Sequence, residues 1–263
     1  MRKNTFSAEI PAVAVFSALG EDGAVSAEAR ELAEHLGAEI LQTPPDDGDA
    51  LLLRLDENGL SLVRGDRSLR GDFTRLLPRA RPENLARELL VRAAKIKDAA
   101  GRTPTAVDAT AGMGEDAFLL AAAGFSVRLY ERDAVIAALL RDALRRALED
   151  PELAPIAERM SLCEADSLTA LPRLETAPDV IVLDPMFPER TKSALIKKKF
   201  QLLQQLERPC TDENALLDAA LAAQPRKLVV KRPLKGPFLA GRQPDYSIKG
   251  TTIRYDCIVL PRG

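Results

Sequence analysis

The stretch Ala106-Val-Asp-Ala-Thr-Ala-Gly-Met-Gly-Glu-Asp-Ala-Phe-Leu-Leu120 decides the fold class. An apolar strand ends at Asp108, a loop containing Gly112 and Gly114 follows, and an apolar helix then begins. This order is typical of a nucleotide-binding loop, in which small residues permit a tight turn and let a ligand approach the helix N-terminus closely. The next predicted strand ends at Glu131, whose carboxylate can accept hydrogen bonds from both hydroxyls of a ribose. Together these features predict a nucleoside-binding site at the carboxyl end of a parallel sheet.

Strands and helices alternate regularly from about residue 105 onward, which predicts a mainly parallel, doubly wound α/β sheet of the Rossmann-like type. The final apolar run follows a Pro- and Gly-rich stretch, so we expect it to close the sheet as an antiparallel hairpin strand. The strands predicted for this region are Ala106–Asp108, Val127–Glu131, Ser161–Glu164, Val180–Asp184, Lys227–Lys231 and Ile253–Leu260.

The earlier part of the chain predicts a small N-terminal α/β region. Asp56-Glu57-Asn58-Gly59 separates two alternating apolar runs, and Asn-Gly in such a position is a strong hairpin signal. A longer helix is predicted from Pro82 to Ala99, so we expect the N-terminal region to span residues 1–81 and the doubly wound domain residues 82–263. The other elements expected in the first region are strands at 12–17, 38–41, 51–55 and 60–63 and a helix at 27–36.

The composition excludes several classes of protein. With 263 residues, a hydrophobic fraction of 46% and a charged fraction of 29%, the chain is that of a globular protein. Its apolar runs are shorter than the ~18 residues of a membrane-spanning helix, so we expect a cytoplasmic protein without a membrane partner. One histidine and three scattered cysteines argue against a zinc site and against a Ser-His-Asp hydrolase, and no metal is expected.

The net charge of −2 is not that of a basic nucleic-acid-binding protein, so any contact with a nucleic acid must come from local basic clusters. Such clusters lie at Arg75–Arg81, Lys192–Lys199 and Lys231-Arg232, beside the predicted site. A single cluster of this kind is more often a solvated face. The residues predicted to contact a nucleic acid are Lys192, Lys197, Lys198, Lys199, Lys231 and Arg232.

Two acidic residues distinguish between the cofactors that such a loop can bind. Glu115 and Asp116 open the helix after the glycine loop, where the pyrophosphate of a nicotinamide dinucleotide would lie. Carboxylates there repel a diphosphate but suit the ammonium and sulfonium of S-adenosylmethionine. The spacing D-x-T-x-G-x-G from Asp108 also approximates the acidic, glycine-containing loop of methyltransferases. We therefore expect an enzyme, a class I methyltransferase with S-adenosylmethionine as its cofactor.

The fourth strand ends in Asp184-Pro185-Met186-Phe187-Pro188, which is similar to the motif of methyltransferases that act on amino nitrogens. The lone pair of an aromatic amine is delocalised into its ring, so the amine is a poor nucleophile. Asp184 and the Pro185 carbonyl can accept its N–H bonds and turn the lone pair toward the methyl group, while Phe187 can stack on the base. The predicted catalytic residues are Asp184, Pro185 and Phe187.

Blocks along roughly residues 50–260 are similar to those of one known family. VDATAGMGEDAFLLAAAG, YERDAVIAALLRDAL, VLDPMFPERTKSALIKKKFQLLQQL and KGTTIRYDCIVL resemble, in order, blocks of the bacterial small-subunit (16S) ribosomal RNA guanine-N2 methyltransferase J family. The resemblance implies N2-methylation of one guanine near the 3′ end of small-subunit ribosomal RNA, free or within the subunit. It also implies cofactor contacts at Glu115, Asp116, Glu131, Arg132, Asp166, Ser167 and Asp184, which join Asp108, Gly112 and Gly114 of the loop.

Three other interpretations stay open on the residues alone. The motif at Asp184 does not choose between guanine N2, adenine N6 and a protein glutamine as the methylated amine. A nicotinamide-dependent oxidoreductase would need a hydride-handling residue, for which the sequence offers no candidate. A binding protein with the same fold but without catalysis is the third, and the intact Asp-Pro-Met-Phe-Pro motif argues against it.

Overall fold

A computed structural model of the chain describes residues 13–17, 25–43, 50–96, 101–185, 202, 206 and 212–261. Residues 13–70 belong to one compact unit, and residues 71–185 and 212–261 belong to a second. The chain passes from the first to the second between Arg70 and Gly71, earlier than the boundary predicted between residues 81 and 82. Each unit contains its own β-sheet.

The first unit is a five-stranded sheet with one described helix, and its strands lie in the order β2-β1-β3-β4-β5. Strand β1 is parallel to β2 and β3, and the β3–β4 and β4–β5 pairs are antiparallel. The elements are β1 (Val13–Ser17), α1 (Ala27–Leu36), β2 (Ile40–Leu41), β3 (Leu51–Asp56), β4 (Gly59–Arg64) and β5 (Arg67–Leu69).

Local sequence accounts for most of this unit. The Ser26 side chain accepts the Ala29 N–H at the start of α1, and Gly37 ends the helix with a φ of 60°. The predicted hairpin is confirmed, because Asp56 pairs with Gly59 where β3 turns into β4. Strand β5 was not predicted, since three residues are too few to show an alternating pattern.

The second unit is built on a seven-stranded sheet in the order β11-β12-β10-β9-β6-β7-β8. Strands β8, β7, β6, β9 and β10 are parallel, β12 is antiparallel to β10, and β11 is antiparallel to β12. The predicted doubly wound sheet with a closing antiparallel strand is therefore confirmed. The strands are β6 (Thr105–Asp108), β7 (Ser126–Glu131), β8 (Met160–Glu164), β9 (Val180–Leu183), β10 (Lys227–Pro233), β11 (Tyr246–Lys249) and β12 (Ile253–Val259).

Helices cover both faces of this sheet. Along β9, Val180 and Val182 pack into the core on one face and Ile181 and Leu183 into the core on the other. All four side chains are fully buried, as expected for a central parallel strand. The helices are α2 (Leu77–Ala80), α3 (Pro82–Leu85), α4 (Leu89–Ala94), α5 (Glu115–Ala122), α6 (Ala134–Glu149), α7 (Ala154–Ala157), α8 (Ser167–Ala170) and α9 (Glu213–Ala222).

The prediction of one helix from Pro82 to Ala99 is wrong. The chain forms α3 and then α4, because Glu88 between them has an extended backbone with a ψ of 126°. The Glu88 carboxylate accepts two hydrogen bonds from the Arg79 guanidinium, at 2.7 and 2.8 Å. This ion pair stabilises the extended segment between α3 and α4. Apolar periodicity across the break does not reveal it, since the pairing with Arg79 is a tertiary contact.

Among the helices of the described residues, none combines the length and the apolar character needed to cross a membrane.

Candidate active site

The order of the strands reverses at β6, because β7 and β8 lie on one side of it and β9 and β10 on the other. Such a reversal leaves a crevice at the carboxyl ends of the central strands, where doubly wound proteins bind their ligands. Asp108 ends β6, Glu131 ends β7, and Asp184 directly follows β9. Three of the predicted site carboxylates are therefore placed along one edge of the sheet.

The glycine loop after β6 is shaped by backbone conformation and by packing. Gly112 and Gly114 have φ angles of 52° and 75°, in the left-handed region that favours glycine. A Cβ on Gly114 would lie 2.8 Å from Leu140 Cδ1 of α6, so a side chain there would have to displace the Leu140 side chain. Gly114 is thus needed for packing of the loop against α6, whereas close approach of a ligand was the reason inferred from the sequence.

Glu131 organises this loop from the neighbouring strand. Its Oε2 accepts the N–H of Gly112 at 2.9 Å, and its Oε1 accepts the N–H of Asp133 at 2.8 Å. Burial raises the pKa of the Glu131 carboxyl, and the backbone N–H donors oppose that rise. Each carboxylate oxygen carries two lone pairs, so both oxygens keep the capacity to accept a ribose hydroxyl. The predicted ribose contact stays a prediction.

Asp184 is held through its backbone by the glycine loop. Its N–H donates to Thr110 Oγ1 at 2.7 Å, which joins the segment after β9 to the segment after β6. Pro185 follows it and is buried, while 43% of the Asp184 side chain is exposed. The carboxylate of Asp184 can therefore be reached from outside while its backbone is fixed.

Lys231, on strand β10, brings a positive charge into the site. Its Nζ lies 3.0 Å from Asp116 Oδ2 and 2.9 Å from Asp184 Oδ2, so one ammonium bridges the first turn of α5 and the segment after β9. Lys231 was predicted as an RNA contact on the strength of a basic dipeptide. In this structure its ammonium is paired with two carboxylates of the site, and an RNA contact is not among the interactions that the geometry supports.

The pKa values of the site residues are raised in part because several carboxylates lie close together. Burial raises the pKa of Asp108 to about 7, and the nearby Asp116 and Asp184 add to the rise. Burial also raises the pKa of Asp184, against the opposing charge of Lys231. For Lys231, burial alone disfavours the ammonium, but Asp116 and Asp184 outweigh it and raise its pKa. The two carboxylates therefore favour the charged form of the ammonium.

The other predicted cofactor residues lie at the same edge of the sheet. Glu115 is exposed in the first turn of α5, and Arg132 is exposed directly after β7. Asp166 follows β8 and caps α8 by accepting the Leu168 N–H at 2.9 Å, and Ser167 beside it is buried. Their contacts with a cofactor stay predictions.

Several predicted residues cannot be placed. Met186, Phe187, Pro188, Lys192, Lys197, Lys198 and Lys199 lie outside the described residues.

Arg232 is placed in the interior. The residue is 1% exposed, and its Nε donates to the Pro237 carbonyl at 2.7 Å. A phosphate in solvent does not reach a guanidinium in that position, so we leave Arg232 out of the RNA contacts proposed below.

Two residues of the site were not predicted. Thr110 entered the sequence analysis only as a position in the spacing D-x-T-x-G-x-G, yet its hydroxyl accepts the backbone N–H of Asp184. Tyr255 pairs with Lys231 across the β10–β12 ladder, is 4% exposed, and has its pKa raised by burial and by Asp116. The presence of Thr110 in the loop was the only signal that the sequence offered for either residue. Tyr255 is placed beside Lys231 by the register of β10 and β12, which the sequence does not state.

The chemistry of these side chains fits S-adenosylmethionine. Asp108, Asp116 and Asp184 set three carboxyl groups against one ammonium, an excess that favours a ligand carrying positive charge. Among the described residues, no group of three or more His, Cys, Asp or Glu side chains is arranged to hold a metal ion.

Comparison with known proteins assigns the family. Residues 37–260 match a family model described as "Putative SAM-dependent methyltransferase". The chain is 44% identical over 244 residues to a ribosomal RNA small subunit methyltransferase J of Thioalkalivibrio sulfidiphilus, covering 89% of this chain and 95% of that protein. A protein of the same description from Pseudomonas aeruginosa is 40% identical over 235 residues, covering 87% and 88%.

A solved structure shares the fold. The crystal structure of a SAM-dependent methyltransferase from Neisseria gonorrhoeae matches with a TM-score of 0.72 and 29% identity, covering 93% of this chain and 95% of that chain. The match to this solved structure agrees with the doubly wound sheet described above. The chain belongs to the ribosomal RNA small subunit methyltransferase J family of S-adenosylmethionine-dependent methyltransferases.

Proposed function

We propose that this chain transfers a methyl group from S-adenosylmethionine to the exocyclic N2 amine of one guanine in 16S ribosomal RNA. The observation that carries the proposal is the placement of Asp184, which follows the central strand β9 and is held by Thr110 and Lys231 beside the glycine loop. The relatives named above are ribosomal RNA small subunit methyltransferases, which supports the choice of substrate.

The cofactor would be held by residues at the carboxyl ends of β6, β7 and β8. Bound S-adenosylmethionine supplies a methyl group on a positively charged sulfonium. The carboxylates at the edge of the sheet suit that charge, and Glu131 presents oxygens to the ribose hydroxyls. The residues proposed for this role are Asp108, Gly112, Gly114, Glu115, Asp116, Glu131, Arg132, Asp166, Ser167 and Asp184.

The amine needs orientation more than it needs a strong base. Asp184 and the Pro185 carbonyl accept its N–H bonds, which turns the nitrogen lone pair away from the ring. Phe187 stacks on the base, a contact that contributes ~1–3 kcal/mol in comparable proteins. Holding the two reactants in line can contribute on the order of 7–11 kcal/mol to the rate. The amine nitrogen must also lose one proton when it is methylated, and the Asp184 carboxylate that accepts its N–H can take up that proton.

The RNA contacts proposed are Lys192, Lys197, Lys198 and Lys199, which form a local basic cluster in a chain whose net charge is −2. Such a cluster would engage phosphates and release counterions, so RNA binding should weaken steeply with salt. Changing Lys197, Lys198 and Lys199 to Ala should flatten the salt dependence, with the slope of log K against log salt reduced by up to about 3. An unchanged slope would identify these lysines as a solvated face.

We place the enzyme in the cytoplasm, with the substrate RNA either free or within the small subunit.

The deciding experiment is nucleoside mass spectrometry of small-subunit RNA from a strain lacking the gene, before and after treatment with the purified protein and S-adenosylmethionine. We expect one N2-methylguanosine to be missing from the deletion strain and restored by the protein. Restoration of N6-methyladenosine would move the proposal to another amine. Methylation of a protein glutamine, or tight binding of a nicotinamide dinucleotide with none of S-adenosylmethionine, would overturn it.

A further inference from the structure

Lys231 is one of two lysines on strand β10, and the two make different kinds of contact. Lys227, at the start of the strand, donates to the carbonyls of Ala93 and Lys95 at 3.0 and 2.7 Å. Lys231, at the other end, donates to carboxylates and not to the backbone of a helix end. Four residues of strand separate them by ~13 Å. Lys227 ties the strand to the end of α4, and that role does not explain Lys231.

Two elements fix Asp184 in two different ways. The Thr110 hydroxyl accepts its backbone N–H at 2.7 Å, which fixes the position of the main chain. Lys231 Nζ lies 2.9 Å from its Oδ2, which selects one orientation of the side chain. Since one lone pair of Oδ2 is engaged by the ammonium, Oδ1 and the second lone pair of Oδ2 can accept an N–H from a substrate amine, in directions that the ion pair fixes.

The same ammonium connects Asp184 to the cofactor loop. Asp116, in the first turn of α5, lies 3.0 Å from Lys231 Nζ through its Oδ2. A side chain that is 26% exposed and paired twice has few alternative positions. The ion pairs therefore couple the residue that orients the amine to the helix whose N-terminus lines the cofactor site.

We propose that Lys231 is a positioning residue for methyl transfer, holding the Asp184 carboxylate in the orientation that receives the amine. The assignment rests on the proposed function and replaces the phosphate contact predicted from the basic dipeptide Lys231-Arg232. A positioning residue acts on the rate of the chemical step, whereas a phosphate contact acts on RNA affinity and on its dependence on salt.

The test compares Lys231→Met and Lys231→Arg with the parent protein in steady-state and single-turnover transfer to small-subunit RNA. For Lys231→Met we expect kcat to fall at least about tenfold, with KM for RNA and Kd for S-adenosylmethionine within about twofold. The salt dependence of RNA binding should not change. Lys231→Arg keeps a cation near Asp184 and should recover part of the lost kcat. Lys227→Met is the matched control, and it should lower the melting temperature while leaving kcat and KM unchanged.

A double variant distinguishes a role of Lys231 in orienting Asp184 from a role in neutralising the carboxylates. It also keeps the proposal testable if Lys231→Met folds poorly. Lys231→Met with Asp116→Asn removes one charge of each sign and should be stable, and it is compared with Asp116→Asn alone. If Lys231 positions Asp184, kcat of the double variant stays at least about tenfold below that of Asp116→Asn.

Four results would overturn the assignment. One is a double variant as active as Asp116→Asn, which would make Lys231 a charge-balancing residue only. Another is an unchanged kcat with a raised KM for RNA and a flatter salt dependence, which would restore the phosphate contact. A parent protein that methylates no guanine in small-subunit RNA overturns the proposed function, and the assignment falls with it. An active parent with a fully active Lys231→Met variant overturns the assignment alone.

Discussion

Strand β9 has a carboxylate at each end, and the two are held in opposite ways. Asp179, before the strand, is paired with the guanidinium groups of Arg102 and Arg226 and accepts the Thr105 N–H at 2.9 Å. Asp184, after the strand, shares the ammonium of Lys231 with Asp116. The Asp179 side chain is 4% exposed, and that of Asp184 is 43% exposed.

The pKa values of the two ends differ accordingly. Burial alone would raise the pKa of Asp179, but the Arg102 and Arg226 guanidinium groups and the Thr105 N–H lower it to about 2. At the other end, burial raises the pKa of Asp108 to about 7 and also raises that of Asp184. A fully compensated carboxylate stabilises the fold, whereas under-compensated carboxylates in a crevice are typical of a functional site. We therefore expect Asp179, at the amino end of β9, to contribute to stability and Asp184, at the carboxyl end, to the reaction.

Asp184→Asn should give the largest effect on activity. The change removes one of the two carboxylate partners of Lys231 and one acceptor for the amine, and misplacement of a reactant by about 1 Å can lower a rate by about 100-fold. We expect single-turnover transfer to fall by about that factor, with a small change in melting temperature. A variant that transfers the methyl group within about twofold of the parent would contradict the role given to the carboxyl end.

Asp179→Asn should have the opposite effect to Asp184→Asn, lowering stability and leaving the rate of methyl transfer unchanged. Loss of its ion pairs should lower the free energy of unfolding by ~1–3 kcal/mol at pH 7, while kcat stays that of the parent. Because the folded pKa is about 2 and the ordinary value is 3.8, this stabilisation is present above about pH 4 and is lost as the pH falls toward 2. Urea unfolding at pH 7 and at pH 3 measures it. A drop in kcat at unchanged stability would show that the two ends are not separate in function.

Phe187→Ala sharpens the comparison by testing substrate placement at the carboxyl end. Removing the stacking surface should reduce transfer at least about tenfold, equivalent to ~1.4 kcal/mol, with near-normal binding of S-adenosylmethionine. Melting temperature, cofactor affinity and single-turnover transfer are measured on one preparation. Joint loss of stability and cofactor affinity would instead make Phe187 a core residue, and full activity would refute the stacking role.

Asp108→Asn should change how the stability of the cofactor-free protein depends on pH. Because the folded pKa is about 7 and the ordinary value is 3.8, the parent binds a proton more tightly when folded and loses stability as the pH rises from about 4 to 7. The variant should lose part of that slope, which for one fully coupled proton is about 1.4 kcal/mol per pH unit. Urea unfolding of the cofactor-free protein at pH 5, 6 and 7 measures it. Parallel curves for the two proteins would place the titration elsewhere.

The sequence by itself determined most of the elements and the edge of the sheet at which the site lies. The six strands predicted from residue 105 onward are all present, with ends that differ by at most a few residues. The positive φ angles of Gly112 and Gly114 and the cap at Asp133, which accepts the Val135 N–H, follow from residue type. These features depend on neighbours in the chain, so apolar period, turn residues and caps predict them.

Only the tertiary structure decided which charges meet. Lys231 and Asp116 are separated by 115 positions in the sequence, and Thr110 and Asp184 by 74. They come together because β10 lies beside β9 and β9 beside β6, an order that residue spacing does not state. The order of the strands also explains why the two side chains of the basic dipeptide Lys231-Arg232, both predicted to contact RNA, lie in different places. Lys231 lies in the site and Arg232 in the interior. Successive residues of a strand point to opposite faces, so the packing on each face decided what each charge contacts.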